Sequence, residues 1–151
     1  MLRGFFIKML QKLVNNINKM SVNSLAQQVF KDKGIQEFII SLNRDGQLFL
    51  RGEGVNGEVV GYYSFVTSLI NPKKKFNTPY NFKDTGEMFS SFRMRVLDDG
   101  FIIDADAEKL VNSDIIDSEN EILGLTENSI NELVKEITPL LVEEVKRQIL
   151  Q

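Results

Sequence analysis

The tightest constraint on the fold is a change of hydrophobic period that begins at Phe89. Phe92, Met94 and Val96 alternate with Arg93, Arg95 and Leu97, and after Asp98-Asp99-Gly100 the residues Phe101, Ile103 and Ala105 alternate with Ile102, Asp104 and Asp106. A period of two on both sides of a turn is the pattern of an antiparallel hairpin. Arg93 and Arg95 are expected to face Asp104 and Asp106 across it, a charge pattern that supports the pairing. The longer apolar stripes recur instead at three- and four-residue spacing. The chain therefore has to set one small sheet against several helices, and we expect an α+β architecture: a helical N-terminal part, a small antiparallel sheet centred on this hairpin, and a long C-terminal helix. At 151 residues, residues 1–151 amount to a single domain.

The helical stripes can be followed along the chain. Phe5, Phe6, Met9, Leu10, Leu13, Val14 and Ile17 mark an amphipathic helix within residues 1–20. Lys8, Gln11 and Lys12 interrupt it, so it resembles neither a membrane span of about 20 apolar residues nor a secretory signal. Its apolar side is expected to pack on the protein's own core or, as an interface arm, on a neighbouring copy, and no membrane contact is expected. Ser21 to Ser24 offers a break and a new N-cap, followed by a stripe of Leu25, Ala26, Val29 and Phe30. Gly34 is the expected interruption before Ile35, Phe38, Ile39 and Leu42 resume on a rotated face. Around Asn43, Asp45 and Gly46 the pattern weakens, and Leu48 to Leu50 reads as a last helical turn in preference to a short strand.

Four glycines between Gly52 and Gly61, with Asn56-Gly57 among them, point to a short hairpin or an irregular loop. No Lys-Ser or Lys-Thr follows, so a phosphate-cradling loop is not expected. Tyr62 to Ile70 reads as a short helix stopped by Asn71-Pro72. Lys73, Lys74 and Lys75 then form a basic run in an exposed loop; its sharper reading is contact with a phosphate backbone. Leu110 to Gly124 reads as a long loop with one turn of helix, the kind of segment that often serves an interface. Thr126 is the expected cap of a final helix bearing Ile130, Leu133, Val134, Ile137, Leu141, Val145 and Ile149, which Pro139 should bend or split.

Composition removes whole classes of chemistry. The chain has no cysteine and no histidine, which excludes thiol catalysis, disulfides, zinc ribbons and Ser-His-Asp triads. Its 18 Lys plus Arg against 21 Asp plus Glu leave a formal charge of -3, too balanced for a nucleic-acid coat. Asp104, Asp106 and Glu108 would share one face of an extended strand, a row that could hold magnesium or calcium and support a metal-dependent phosphoryl transfer. Arg93 and Arg95 are placed to pair with that row, so no metal and no cofactor is expected. Tyr62, Tyr63 and Tyr80 lack an evident base, and no G-x-S-x-G or S-x-x-K nucleophile motif occurs. No catalytic residue is assigned.

One segment remains, Asn81 to Phe92. Asp84 is expected to cap a short helical turn, with Glu87 completing a capping-box-like exchange and Ser90-Ser91 leading into the hairpin. Asp84, Thr85, Gly86, Met88, Ser91 and Phe92, feeding a hairpin and preceded by a basic, proline-containing loop, resemble the core motif of the small head–tail connector and tail-completion proteins of tailed bacteriophages. The wider string is similar to proteins of phages and prophages of gut Bacteroidetes, crAss-like phages among them. It comprises Asn43 with Gln47-Leu48-Phe49, then Gly61-Tyr62, Tyr63-Ser64 and Thr67, and Ile122-Leu123-Gly124-Leu125-Thr126. The similarity spans roughly residues 35 to 150. Retroviral-type aspartic proteases also carry Asp-Thr-Gly, but here Lys83 precedes it and Glu87 and Met88 follow, unlike the hydrophobic loop of those enzymes.

The resemblance implies a non-enzymatic virion protein in the neck or tail, assembled in the cytoplasm of the bacterial host. It would form a homo-oligomeric ring of roughly six- or twelve-fold order and touch the portal and other neck or tail proteins. It also implies that Asp84, Thr85, Gly86, Ser91 and Phe92 are motif residues, and that Lys73 to Lys75 face packaged DNA, non-specifically, or a neighbouring ring. Asp84→Ala is then expected to impair folding or assembly. The alternatives are a phage assembly factor or interaction module not retained in the particle and the metal-dependent enzyme built on Asp104 and Asp106.

Overall fold

The computed structural model describes residues 2–151, with side chains from Ile7 onward; the side chains of Phe5 and Phe6 lie outside the described set. The architecture is α+β. Three helices open the chain: α1 (Leu2–Asn18), α2 (Val22–Phe30) and α3 (Lys33–Ser41). Ser21 is the N-cap residue of α2, as its position suggests, although its side chain makes no capping bond. The next break falls at Lys31-Asp32, before Gly34. The Asp32 side chain accepts from the Ile35 N–H at 3.0 Å and starts α3, so Gly34 sits inside the first turn. A bonded N-cap outweighs the weak helix preference of one glycine.

Leu42–Arg51 continues α3 as a π-helix. The helical reading of Leu48 to Leu50 is correct, and the weakened pattern before it has a cause. A π-helix winds more slowly than an α-helix, so its inward positions are Leu42, Asn43, Gln47 and Leu48, a spacing that an α-helical template does not register. Gly52 ends it with φ +64°. A Cβ there would stand 2.5 Å from the Tyr80 carbonyl oxygen, so the position needs glycine for its backbone and for its space.

Gly52 to Gly61 is an abbreviated hairpin, with Glu53 bridged to Val59 and Asn56-Gly57 at its turn. Tyr62 and Tyr63 are extended rather than helical. Tyr62 pairs with Pro79, the Tyr63 N–H donates to Thr78 O at 3.0 Å, and the Tyr80 N–H donates to Gly61 O at 2.9 Å. Residues 62–79 thus form a loop closed at its base, carrying α4 (Phe65–Ile70), which begins where the Ser64 hydroxyl accepts from the Thr67 N–H.

After α5 (Glu87–Ser90), strands β1 (Arg93–Leu97) and β2 (Gly100–Asp104) form the expected hairpin. The register pairs Arg93 with Asp104, Arg95 with Ile102 and Leu97 with Gly100. Only one of the two expected charge pairs is therefore opposed. The turn consists of Asp98-Asp99 alone, with Gly100 in the strand, and this slides the second arm so that Asp106 comes opposite Ser91. α6 (Glu108–Asn112) and a 3-10 turn (Glu119–Glu121) interrupt the long loop before α7 (Glu127–Leu150). The Thr126 hydroxyl accepts from the Ser129 N–H at 3.2 Å and caps α7 as its sequence indicates. α7 runs through Pro139 as one helix rather than two. Proline costs a helix interior about 3 kcal/mol, which Leu133, Ile137 and Leu141 offset by packing into the core on either side.

Two apolar clusters hold these elements. In the first, Val29, Phe30, Ile35, Ile39, Leu42 and Leu133 enclose the inner face of the hairpin, with Ile103 buried and Met94, Val96 and Phe101 partly so. Phe30 meets Phe101 edge to face at 5.1 Å. In the second, Leu48 and Ile122 are fully buried with Phe82, Ala107 and Ile116. Phe92 touches both clusters. Among the described residues no helix is long and apolar enough to cross a membrane.

Candidate functional site

A cleft of about 870 Å³ opens between the closed loop, the Asp84–Gly86 turn and α6. It brings together residues that the sequence separates: Lys74 from the basic run, Asp84, Thr85 and Gly86 from the motif, and Asp106, Glu108 and Lys109 beyond the hairpin. Its aromatic side is ordered. Tyr63 and Tyr80 meet edge to face at 5.0 Å, as do Tyr80 and Phe82 at 6.3 Å. The Tyr63 hydroxyl donates to Asn81 Oδ1 at 2.8 Å and accepts from the Asn81 N–H at 3.2 Å, which fixes the ring.

The basic run divides at this point. Lys74 folds back over the Tyr63 ring, its Nζ 5.4 Å from the centroid and 3.6 Å from Asp84 Oδ1, whereas Lys73 and Lys75 remain exposed. The central lysine is thus part of the cleft wall, and its two neighbours point outward. Lys83 is likewise turned onto the face of Phe49 at 5.6 Å.

The motif turn is built differently from the expected capping box. Asp84 caps no helix; its side chain is 84% exposed and reaches, among the described residues, only Lys74. Gly86 is the N-cap residue of α5, at φ +87°, and the Thr85 hydroxyl accepts from the Glu87 N–H at 3.3 Å. With a left-handed glycine at that position, the hydroxyl two residues before the first free N–H is the one within reach. The Glu87 carboxylate turns instead to Lys109 of α6 at 2.7 Å. Ser91 joins the motif to the end of the hairpin, accepting from the Asp106 N–H at 2.8 Å and donating to Met88 O at 2.6 Å.

The electrostatics of the cleft favour charged, mutually paired groups. The hydrogen bond and charge of Lys109 hold the Glu87 carboxyl below its ordinary value, and Glu87 in turn raises Lys109. Both shifts run opposite to those that poise a general base or a nucleophilic lysine near neutrality. The carboxylate row is also engaged. β2 ends at Asp104 and Glu108 opens α6, while Arg93 takes Asp104 at 2.7 Å and Asp106 at 3.8 Å. Among the described residues no three His, Cys, Asp or Glu side chains are grouped to hold a metal ion.

A second polar arrangement, not anticipated from sequence, lies behind the cleft. Asn43 and Gln47 of the π-helix are both fully buried and grip the segment ahead of α7. Asn43 Nδ2 donates to Ile122 O at 2.8 Å and its Oδ1 accepts from the Gly124 N–H at 3.3 Å. Gln47 Nε2 donates to Gly124 O at 2.9 Å and its Oε1 accepts from the Thr126 N–H at 2.9 Å. This amide clamp joins two of the strings on which the phage resemblance rests, Asn43 with Gln47 and Ile122 to Thr126. The signal in the sequence was a pair of amides four residues apart beside an apolar turn, which reads as solvated until its partners are known.

No protein-family profile matches the chain, and no curated protein and no solved structure is similar to it.

Proposed function

We propose that the chain is a structural, non-enzymatic component of a tailed-phage particle, a subunit of a ring in the neck or tail that joins the portal to the tail. The observation that carries this reading is the amount of apolar surface left uncovered. Ile7, Leu10, Val14 and Ile17 of α1 remain 43–52% exposed although α1 lies along α7, with Asn16 bonded to Ile149 O. Every residue of α4 escapes burial, and Leu69 and Ile70 are 65% and 80% exposed. Contiguous apolar faces of this kind mark interaction surfaces, and a symmetric oligomer is the commonest way to cover them. The physical contact between the resemblance strings at the amide clamp supports the same reading, since it gives those residues a shared structural task.

In this proposal Asp84, Thr85 and Gly86 shape one wall of the cleft, Ser91 ties the motif to the end of the hairpin, and Phe92 anchors it between the two apolar clusters. Lys73 and Lys75 face a neighbouring protein or packaged DNA. Quantitative mass spectrometry of purified phage particles from the source culture tests it. A fixed, simple ratio to the portal subunit is the expected result. Absence from particles together with abundance in the lysate would discard the connector and move the assembly factor or the metal-dependent enzyme to the front.

A further inference from the structure

Charge is segregated along this chain far more than its net value of -3 suggests. Residues 59–83 contain four lysines and no Asp or Glu, whereas residues 110–134 contain six acidic residues and no Lys or Arg. Each segment also carries apolar surface. In the first, Phe65, Val66, Leu69, Ile70 and Phe76 are 59–80% exposed, and Phe65 and Phe76 meet edge to face at 6.0 Å. The loop closed by Tyr62 and Pro79 holds this group out as a knob, with Lys73 and Lys75 on its margin and Lys74 turned inward. The second contributes to a shallow groove of about 400 Å³ lined by Phe101, Ile102, Leu123, Leu125 and Ile130. Glu119 and Glu121 flank the groove residue Asn120, and Glu127 lies one turn before Ile130 on α7. The Glu121 carboxylate accepts from the Asp117 and Ser118 N–H groups, which leaves Glu119 and Glu127 as the outward acids, and Arg95, opposite Ile102, adds one cation against them.

We propose that the lysine-rimmed knob of one copy docks in the acid-rimmed groove of the next. This rests on the ring reading and names the contact that would build the ring. The two surfaces are different, so the contact is heterologous: every subunit offers one knob and one groove, a growing series keeps one of each free at its ends, and it closes into a ring if the rotation per subunit allows. The apolar centres supply affinity, while the charged rims set orientation and association rate. Association should therefore weaken with added salt without disappearing.

Sedimentation velocity on the full chain tests this, with circular dichroism confirming that each variant is folded. Lys73→Glu with Lys75→Glu, and separately Glu119→Lys with Glu127→Lys, should each weaken self-association at least about tenfold, because like charges then oppose one another across the contact. Mixing the two variants restores opposite charges at both faces and should bring back the large species that neither forms alone. Ile70→Ser, at an exposed site, should weaken association without charge change. A wild-type chain that stays monomeric up to about 1 mM overturns the proposal, as do charge-reversed variants that associate like the wild type or a mixture that stays dissociated. Particle composition is read independently: a chain present at the portal ratio whose charge variants still associate keeps the neck reading and discards this contact. Absence from particles with the charge-swap rescue intact does the opposite.

Discussion

Gln47→Leu is the sharpest test of the clamp, because leucine keeps most of the side-chain volume and removes both hydrogen bonds. Gln47 is fully buried and makes two bonds of 2.9 Å, one donated to Gly124 O and one accepted from the Thr126 N–H. Each orphaned backbone group should cost about 1–3 kcal/mol, and the added apolar burial returns about 1 kcal/mol. The net loss is then about 3 kcal/mol, a fall in Tm of roughly 6–12 °C for a chain of this size. Thermal unfolding followed by circular dichroism measures it, and hydrogen exchange at the Thr126 amide should accelerate beyond the global change. A fall of less than about 2 °C would refute the assignment of both bonds. Gln47→Glu adds a test of sign. The buried carboxylate can still accept from Thr126 but cannot donate to Gly124, and burial raises its folded pKa above the unfolded value of about 4.3. Protonation restores the donor. The deficit of Gln47→Glu relative to the wild type should therefore shrink as pH falls through the folded pKa, and be smallest below the unfolded one.

Other expectations follow from single positions. Gly52→Ala meets both a left-handed backbone and the Tyr80 carbonyl, and should lose about 2–3 kcal/mol in urea titrations. Gly86→Ala, at φ +87° but with open space around it, should lose only about 1 kcal/mol. Asp84→Ala should change stability by no more than about 0.5 kcal/mol, since its side chain is exposed; if the motif serves the ring, its defect will appear in assembly assays alone. Lys109→Met should return the titration midpoint of Glu87, followed by NMR, upward toward its ordinary value. A depressed carboxylate pKa stabilises above the unfolded value, and that contribution is lost as pH falls through the folded one, so the Glu87–Lys109 tie belongs to neutral pH and fades in acid.

Much of the fold was legible where local chemistry and period agree. The hairpin followed from its alternation, α7 from Thr126 and its stripe, and the start of α2 from the break at Ser21 to Ser24. Two failures share a cause, a tertiary partner that decided a locally ambiguous choice, and the others turn on a neighbouring residue. Asn43 and Gln47 lie inward only because carbonyl and amide groups of residues 122–126 await them, and the slower winding of the π-helix hides the period that would have shown it. Tyr62 and Tyr63 have the composition of a helix start, but Pro79 and Thr78 offer backbone partners that make them extended. Asp84 lost the capping role to Thr85 once Gly86 turned left-handed. The cleft was half legible: the Asp-Thr-Gly turn stood out, whereas Lys109, the residue that engages Glu87, carried no local signal.

The amide clamp also sets a timetable for the chain as it is made. Its bonds span 77–81 residues, an interval that takes roughly 4–16 s to synthesise at about 5–20 residues per second. During that interval Asn43 and Gln47 have no internal partners, and the π-helix has no reason to prefer its slow winding. The hairpin and the first helices can assemble early, but Leu48 and Ile122 cannot close the second cluster until residue 122 has emerged. Chains in which residues 120–130 have yet to emerge would thus lack a finished groove beside Ile130, so any groove-mediated pairing of copies has to wait for that segment.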